Sequence, residues 1–365
     1  MVERPDDRPR NGSVVDIIDR KGAWVGRGLY NSHSRISLRV LTTNPDEPID
    51  AAFFQRRLER AISLRRDSLR LDEVTDSYRL VHSEGDELSG LVIDKFGSTI
   101  VIEFFSSGMH KFRDTIIEVL KIWYPEANYY WFAETHVQKQ ESFDCRPPEP
   151  PAGAWIVEHG LKFKVTPGLK HKTGFFVDQR VNRLELSKMT QGKRVLDLCC
   201  NSGGFGVYAG SKGEAAEVTG VDLDDEVLKL AELNSRENGA KVTFVQADIF
   251  VWLRDQHRAG QFWDVVVLDP SKQTRDREAI EDALKRYYDM NSLAMQVVKP
   301  GGVLLTCSCT GLIKEEDFLE TIRRSAWRIG RTAQIFRISG AAEDHPWMVH
   351  VQEGRYLKAV WARIF

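Results

Sequence analysis

Four aspartates close successive apolar runs: Asp197 in RVLDL, Asp222 in EVTGVDL, Asp248 in VTFVQAD and Asp269 in DVVVLDP. A fifth run, GGVLLTCSC, closes on Cys309. If these runs are parallel strands of one sheet, all five side chains emerge at its carboxyl edge, where open α/β sheets bind ligands. Four carboxylates gathered there repel one another unless they meet donors or cations, so together they read as a ligand ring. For any one of them the alternative is a helix N-cap after a strand, and at Asp248 the two readings are evenly matched. The turn after Asp197 carries Gly203, Gly204 and Gly206 before a small-residue helix start. Glycine lets the backbone approach a ligand closely, and the helix points free N–H groups at it. With Asp222 placed to accept from ribose hydroxyls, the pair reads as a site for an adenosine cofactor.

For Cys199, Cys200 and Cys307 the better reading is a small buried hydrophobe. Cys309 lies past its apolar run, where the strand reaches the crevice. A thiolate there can add to C6 of a pyrimidine and make C5 able to attack an electrophilic methyl group. A base then removes the C5 proton and the cysteine is expelled. Asp269 is placed to hold or protonate the N3 edge and so encourage the addition. The segment Lys170-His171-Lys172-Thr173-Gly174-Phe175-Phe176-Val177-Asp178-Gln179-Arg180 interleaves aromatic and basic groups, which suits a cofactor and a flipped base; the alternative is a structured inter-domain loop. The nine histidines form no HxxxH or Cys/His cluster, so no metal is expected.

The elements that position these groups follow from pattern. Val14 to Thr42 reads as a small β-module of three strands, too short to be stable unless it packs on something else. Residues 51–70 read as an amphipathic helix with Phe54, Leu58, Ile62 and Leu69 on one face. Arg56, Arg57, Arg60, Arg65, Arg66 and Arg70 lie elsewhere on it, read as a solvated face, with an RNA-contact surface as the alternative. Strands separated by Gly and Asp turns and a helix near Lys111–Trp123 make a separate α+β domain, and the Pro-rich residues 145–153 mark a boundary or rigid loop. After the hairpin-like WIVEHGLKFKVTPG, strand and helix alternate, which implies right-handed βαβ units and a doubly wound, mostly parallel sheet. AQIFRISG and YLKAVWARIF have no helix between them and predict a terminal antiparallel hairpin at one sheet edge, the ending of a class I methyltransferase rather than a dehydrogenase.

At 365 residues the chain has room for two or three domains, and 42% hydrophobic content fills their cores. With 51 Lys+Arg against 53 Asp+Glu the net charge is −2, so nucleic-acid affinity must come from a local basic surface. Five cysteines suit no disulfide framework and point to a reducing, cytoplasmic compartment. No apolar stretch approaches a membrane span, and MVERPDDRPRNGS lacks a signal-peptide core.

Several segments carry a specific likeness: GRGLYNSHSRISLRVL, SYRLVHSEGDELSGLVIDKFG, HKTGFFVDQR, the NSGGF turn, TCSCTGL, DHP and EGRYLK. On these the chain resembles, over nearly its whole length, the bacterial ribosomal RNA large subunit methyltransferase I family, S-adenosylmethionine-dependent cytosine-C5 methyltransferases of 23S rRNA. The resemblance implies a partial PUA-like β module over 1–50, a central α+β domain over 51–175 and a Rossmann-like methyltransferase domain with a seven-stranded sheet over 176–365. It places the catalytic cysteine on Cys309 and the motif aspartate on Asp269. It places S-adenosyl-L-methionine on Phe175, Asp178, Gln179, Arg180, Asn201, Ser202, Gly203, Gly204, Phe205, Asp222, Leu223, Asp248, Ile249 and Asp269. Lys172, Thr173 and Lys272 become substrate contacts. The implied partner is 23S rRNA or a large-subunit precursor, with a homodimer also compatible.

Two departures accompany the likeness. The family usually reads Asp-Pro-Pro-Lys-Phe where this chain has Asp269-Pro270-Ser271-Lys272-Gln273, removing a proline and an aromatic from the base-pocket wall. The family also opens with further PUA strands, so only the closing part of that module is expected. Two other readings stand beside the leading one: a guanine-nitrogen rRNA methyltransferase of the same fold, which needs no cysteine, and a non-catalytic RNA-binding or ribosome-assembly protein. A nicotinamide dehydrogenase is disfavoured, because NSGGF is not GxGxxG and the terminal hairpin is wrong for one.

Overall fold

The computed structural model describes residues 9–167 and 173–365. The chain divides into two compact units. The first holds the described residues of Met1–Gly160, Val165–Val177 and Glu343–Gly354; the second holds Leu161–Lys164, Asp178–Ala342 and Arg355–Phe365.

The first unit begins with an antiparallel sheet of β1 (Ser13–Ile18), β2 (Trp24–Tyr30) and β3 (Leu38–Thr42). Three strands cannot enclose a core alone. Leu29 and Leu41 therefore join a larger cluster with Phe53, Phe54, Leu80 and Ile93, and Arg39 and Asn31 reach the buried carboxylate of Glu141. Helix α1 (Ala51–Ser63) starts on Asp50, whose side chain accepts from the Phe53 amide, and buries Phe53, Phe54, Leu58, Ala61 and Ile62. A second sheet has the order β4 (Ser77–His82), β5 (Leu91–Phe96), β6 (Thr99–Phe104), β7 (Asn128–Phe132), antiparallel except for the parallel β6–β7 pair. Helices α2 (Ser107–Lys111), α3 (Arg113–Leu120) and α4 (Thr135–Glu141) and strand β8 (Ala154–Glu158) complete its regular elements.

One expectation from the sequence is corrected here. Arg65 is not on a solvated face: its side chain is fully buried. Arg65 lies seven residues past Leu58 and four past Ala61, so it continues the buried stripe of α1 into the π turn of Leu64–Ser68. Its guanidinium grips Asp86 at 2.6 and 2.8 Å and also donates to the carbonyls of Arg79, Ala61 and Asp344.

The second unit opens with Leu161–Lys164 of β9 (Leu161–Val165) and α5 (Arg180–Ser187) and then alternates β10 (Arg194–Leu198), α6 (Gly204–Ser211), β11 (Glu217–Asp222), α7 (Asp225–Glu237), β12 (Val242–Gln246), α8 (Ile249–Arg258), β13 (Trp263–Leu268), α9 (Ile280–Gln296), β14 (Val298–Ser308) and α10 (Glu315–Arg328). It closes with β15 (Ala333–Ser339) and β16 (Lys358–Ile364). The seven-stranded sheet has the order β12-β11-β10-β13-β14-β16-β15. Its first five strands are parallel, and β16 runs antiparallel to both β14 and β15. Val195, Leu196, Leu198 and Val265–Leu268 are buried on both faces, which is why those strands read as continuous apolar runs rather than alternating ones. Among the described residues, no helix is long and apolar enough to cross a membrane.

Candidate active site

Pairing sets Asp197 beside Gly220 on one side and Val267 on the other, at the carboxyl edge of the central strand. The side chain turns inward: Oδ2 accepts the Gly206 amide at 2.9 Å, and Oδ1 is buried with no hydrogen-bond partner among the described residues. Burial, with the Asp269 and Asp222 carboxylates behind it, pushes this carboxyl up to about 8. It stays protonated near neutrality and supports the turn from beneath.

The turn is tightly specified. Cys199, Asn201 and Gly203 have φ of 59, 48 and 78°. Only Gly203 takes the left-handed region without steric cost, and it is the N-cap of α6. Asn201 is helped by its own side chain, whose Oδ1 accepts the Ser202 amide at 2.8 Å. The Asn201 amide donates to Asp222 Oδ2 at 2.9 Å, and Asp222 Oδ1 accepts the Asp224 amide at 3.1 Å. Asp222 has no Lys or Arg partner among the described residues, so its carboxylate keeps lone pairs for a ligand's hydroxyls. Leu223 beside it is 68% exposed, an apolar surface next to an acceptor pair. Ser202 and Phe205 are buried. Asp248 caps α8, accepting the Phe250 amide at 2.7 Å, and Ile249 is buried behind it.

Asp178, Gln179 and Arg180 are buried at the start of α5. Tyr356 Oη donates to Asp178 Oδ2 at 2.5 Å. Gln179 Nε2 donates to Asp269 Oδ2 at 2.9 Å. The Gln179 carbonyl is held by Asn182 at 2.6 Å, Asn182 by Ser339 at 2.7 Å, and Ser339 by the Trp361 indole at 2.9 Å. A relay from the last strand thus sets which end of the Gln179 amide meets Asp269.

The two cysteines at the end of β14 differ in setting. Cys307 is sealed between strands, and burial drives its thiol far above the usual range. Cys309, one residue past the strand, is half-buried, with Sγ 3.9 Å from the Pro270 carbonyl oxygen. The loop after β13 and the loop after β14 therefore meet, bringing Asp269-Pro270 alongside Cys309. They are tied again where Thr310 Oγ1 accepts the Gln273 amide at 3.1 Å and shares a 2.9 Å hydrogen bond with Tyr287. Lys272 is exposed on the same segment.

Thr173 and Phe175 fall in the first unit, where both are buried and the Thr173 hydroxyl bonds Asp94. Lys172, with Lys170 and His171, lies outside the described residues. Residues missed from the sequence are Asn182, Ser339, Tyr356 and Lys358. The EGRYLK segment drew notice for its likeness, yet nothing local said that its tyrosine and lysine would enter the site.

A family model for S-adenosylmethionine-dependent methyltransferases matches residues 135–359, and a PUA-like domain model matches residues 1–43. Ribosomal RNA large subunit methyltransferase I of Photobacterium profundum is 39% identical over 360 residues, spanning 96% of this chain and 90% of that protein. The chain belongs to the ribosomal RNA large subunit methyltransferase I family. Another member of that family, from Klebsiella pneumoniae, is 38% identical and matches 100% of this chain and 92% of its own length. The fold extends to a crystal structure of SMU.776 complexed with SAH, at a TM-score of 0.84 and 20% identity over 98% of this chain and 93% of that one. Methyltransferase I membership makes S-adenosylmethionine the cofactor. The site suits it: a left-handed glycine turn, a carboxylate without a cation partner and an exposed leucine match the donors, hydroxyls and apolar ring of an adenosyl group.

Proposed function

We propose that this protein methylates C5 of a cytosine in 23S ribosomal RNA, with Cys309 as the covalent nucleophile at C6. The observation that carries the reading is the contrast at the end of β14: Cys307 is sealed in the sheet, whereas Cys309 is accessible and lies against the loop that carries Asp269. Asn201, Ser202, Gly203, Gly204 and Phe205 supply the cofactor turn, Asp222 and Leu223 the ribose and ring contacts, and Asp248 and Ile249 the adenine end. Asp178, Gln179 and Arg180 close the wall between cofactor and base. Bound S-adenosylmethionine supplies an electrophilic methyl group. Cys309 adds to C6 and raises electron density at C5, while Asp269, oriented by Gln179, holds the N3 edge of the ring. Loss of the C5 proton to a base lets Cys309 leave as thiolate.

In this reading residues 1–50 are a PUA-like module, 51–175 a central α+β domain and 176–365 the catalytic domain. Lys272, exposed on the segment that carries Asp269, meets RNA, and the protein works in the cytoplasm on rRNA or a large-subunit precursor.

The test is transfer of labelled methyl from S-adenosylmethionine to unmodified 23S rRNA by wild type and Cys309→Ala, with nucleoside analysis of the product. Label in 5-methylcytidine that vanishes in the variant supports the reading. Label in guanosine that survives the substitution assigns nitrogen methylation instead. Absence of label with any rRNA, despite cofactor binding, assigns a non-catalytic RNA-binding role.

A further inference from the structure

Lys358 opens β16 and is 4% exposed. Its register partner on β14 is Ser308. Its ammonium donates to three backbone carbonyls: Thr310 at 2.8 Å, Ile313 at 2.9 Å and Tyr356 at 2.9 Å. Two of these belong to the turn that follows Cys309, so the lysine ties that turn to the last strand.

No carboxylate pairs with this ammonium among the described residues. The acid in its neighbourhood is Glu315, which is in an ion pair with Arg355 at 2.7 Å. A buried lysine normally either has an anionic partner or gives up its proton. Carbonyl dipoles satisfy its three donors but do not neutralise its charge. Burial is the largest influence and lowers this ammonium to about 8, still charged at neutral pH; Cys309 and Glu315 favour the charged form, and Lys272 and Arg355 oppose it. The cysteine is therefore the nearby group that becomes an anion in the course of the proposed chemistry, and the Asp269 carboxylate on the adjoining loop opposes that anion, which leaves the lysine to offset it.

We infer that Lys358 is a positioning residue for Cys309: its three hydrogen bonds hold the turn that presents the sulfur, and its buried charge stabilises the thiolate. This rests on Cys309 being the nucleophile. Cys309 gives its proton to solvent, and the resulting anion is held by the fixed cation until sulfur bonds to C6. On expulsion the same cation receives the departing thiolate. Thiolate stabilisation by a neighbouring cation is the usual route to a reactive cysteine.

The experiment is alkylation of the full-length protein with iodoacetamide across the neutral to alkaline range, resolved by mass spectrometry at each cysteine, without RNA or cofactor. In wild type, Cys309 labelling is expected to reach half its maximal rate below the free-thiol value of about 8.5. Lys358→Met should move that midpoint upward and slow labelling at neutral pH by about tenfold or more, and Lys358→Arg should recover most of the rate. A wild-type midpoint at or above the free-thiol value overturns the inference whether or not the methionine variant folds. So does a Lys358→Met curve that overlays wild type in a protein with an unchanged melting temperature. Methyl transfer is measured separately, where Lys358→Met should lower kcat while KM for S-adenosylmethionine stays within about twofold. Cys309→Ala retaining full 5-methylcytidine formation would defeat the nucleophile reading and leave the thiolate measurement standing, so the two failures are distinct.

Discussion

Gln179 donates through Nε2 to Asp269 Oδ2 at 2.9 Å, joining the N-cap of α5 to the loop after β13 across 90 residues of sequence. Because Asn182 holds the other end of the amide, Gln179 presents its nitrogen to the carboxylate. Gln179→Glu would place a second carboxylate there, and two such groups in contact retain a proton between them. The expected result is a fall in kcat of about 10- to 100-fold near neutrality, with the acidic limb of the pH–rate profile moved upward. An unchanged profile would separate Asp269 from the chemistry.

The two β14 cysteines should part company on substitution. Cys307→Ala is expected to keep methyl transfer and to cost about 1 kcal/mol in urea denaturation, from the small void left in the sheet. Loss of transfer with Cys307→Ala, at retained stability, would move the nucleophile inward.

Asp222 supports the turn and, in the proposed function, also holds the ribose hydroxyls with the same carboxylate. Asp222→Ala removes the acceptor for the Asn201 and Asp224 amides and the contact for the ribose. Calorimetric titration with S-adenosylmethionine should show at least about tenfold weaker binding, equivalent to roughly 1.4 kcal/mol.

Asp197 should leave a mark on the pH dependence of stability. Its carboxyl, pushed up to about 8 in the folded chain, loses its proton near about 3.9 when unfolded. Between those values the folded state holds more protons, so this group makes stability fall as pH rises, by on the order of 1 kcal/mol per pH unit, and the fall levels off above the folded value. Asp197→Asn keeps an acceptor for the Gly206 amide and cannot ionise. Its denaturation midpoints should lack that decline; a variant that follows the wild-type slope would show the carboxyl ionised in the fold.

In the first unit, Arg65→Met should be strongly destabilising. It strands the buried Asp86 carboxylate, and breaking one side of a buried ion pair costs about 3–5 kcal/mol. The double variant Arg65→Met with Asp86→Asn should recover part of the loss, measured on the same denaturation transition.

The carboxyl-edge positions of Asp197, Asp222, Asp248, Asp269 and Cys309 were legible because strand runs, turn residues and βαβ alternation are local patterns with fixed side-chain periods. The terminal hairpin and the glycine turn before α6 were legible for the same reason. What those side chains do was not. Asp197 and Asp248 support a turn and cap a helix, and Cys307 and Cys309, two residues apart in one motif, differ in exposure, one buried and the other half-buried. Arg65 was misread because a charge usually marks an exposed face: its spacing from Leu58 and Ala61 puts it on the buried stripe, and only the assembled unit brings Asp86 to pair with it. Tyr356, Lys358 and the Trp361–Ser339–Asn182 relay enter the site only because β16 returns antiparallel beside β14. Residue periodicity is a property of neighbours along the chain, whereas register, burial and the partners of a buried charge depend on which strands lie side by side, and only the assembled sheet decides that.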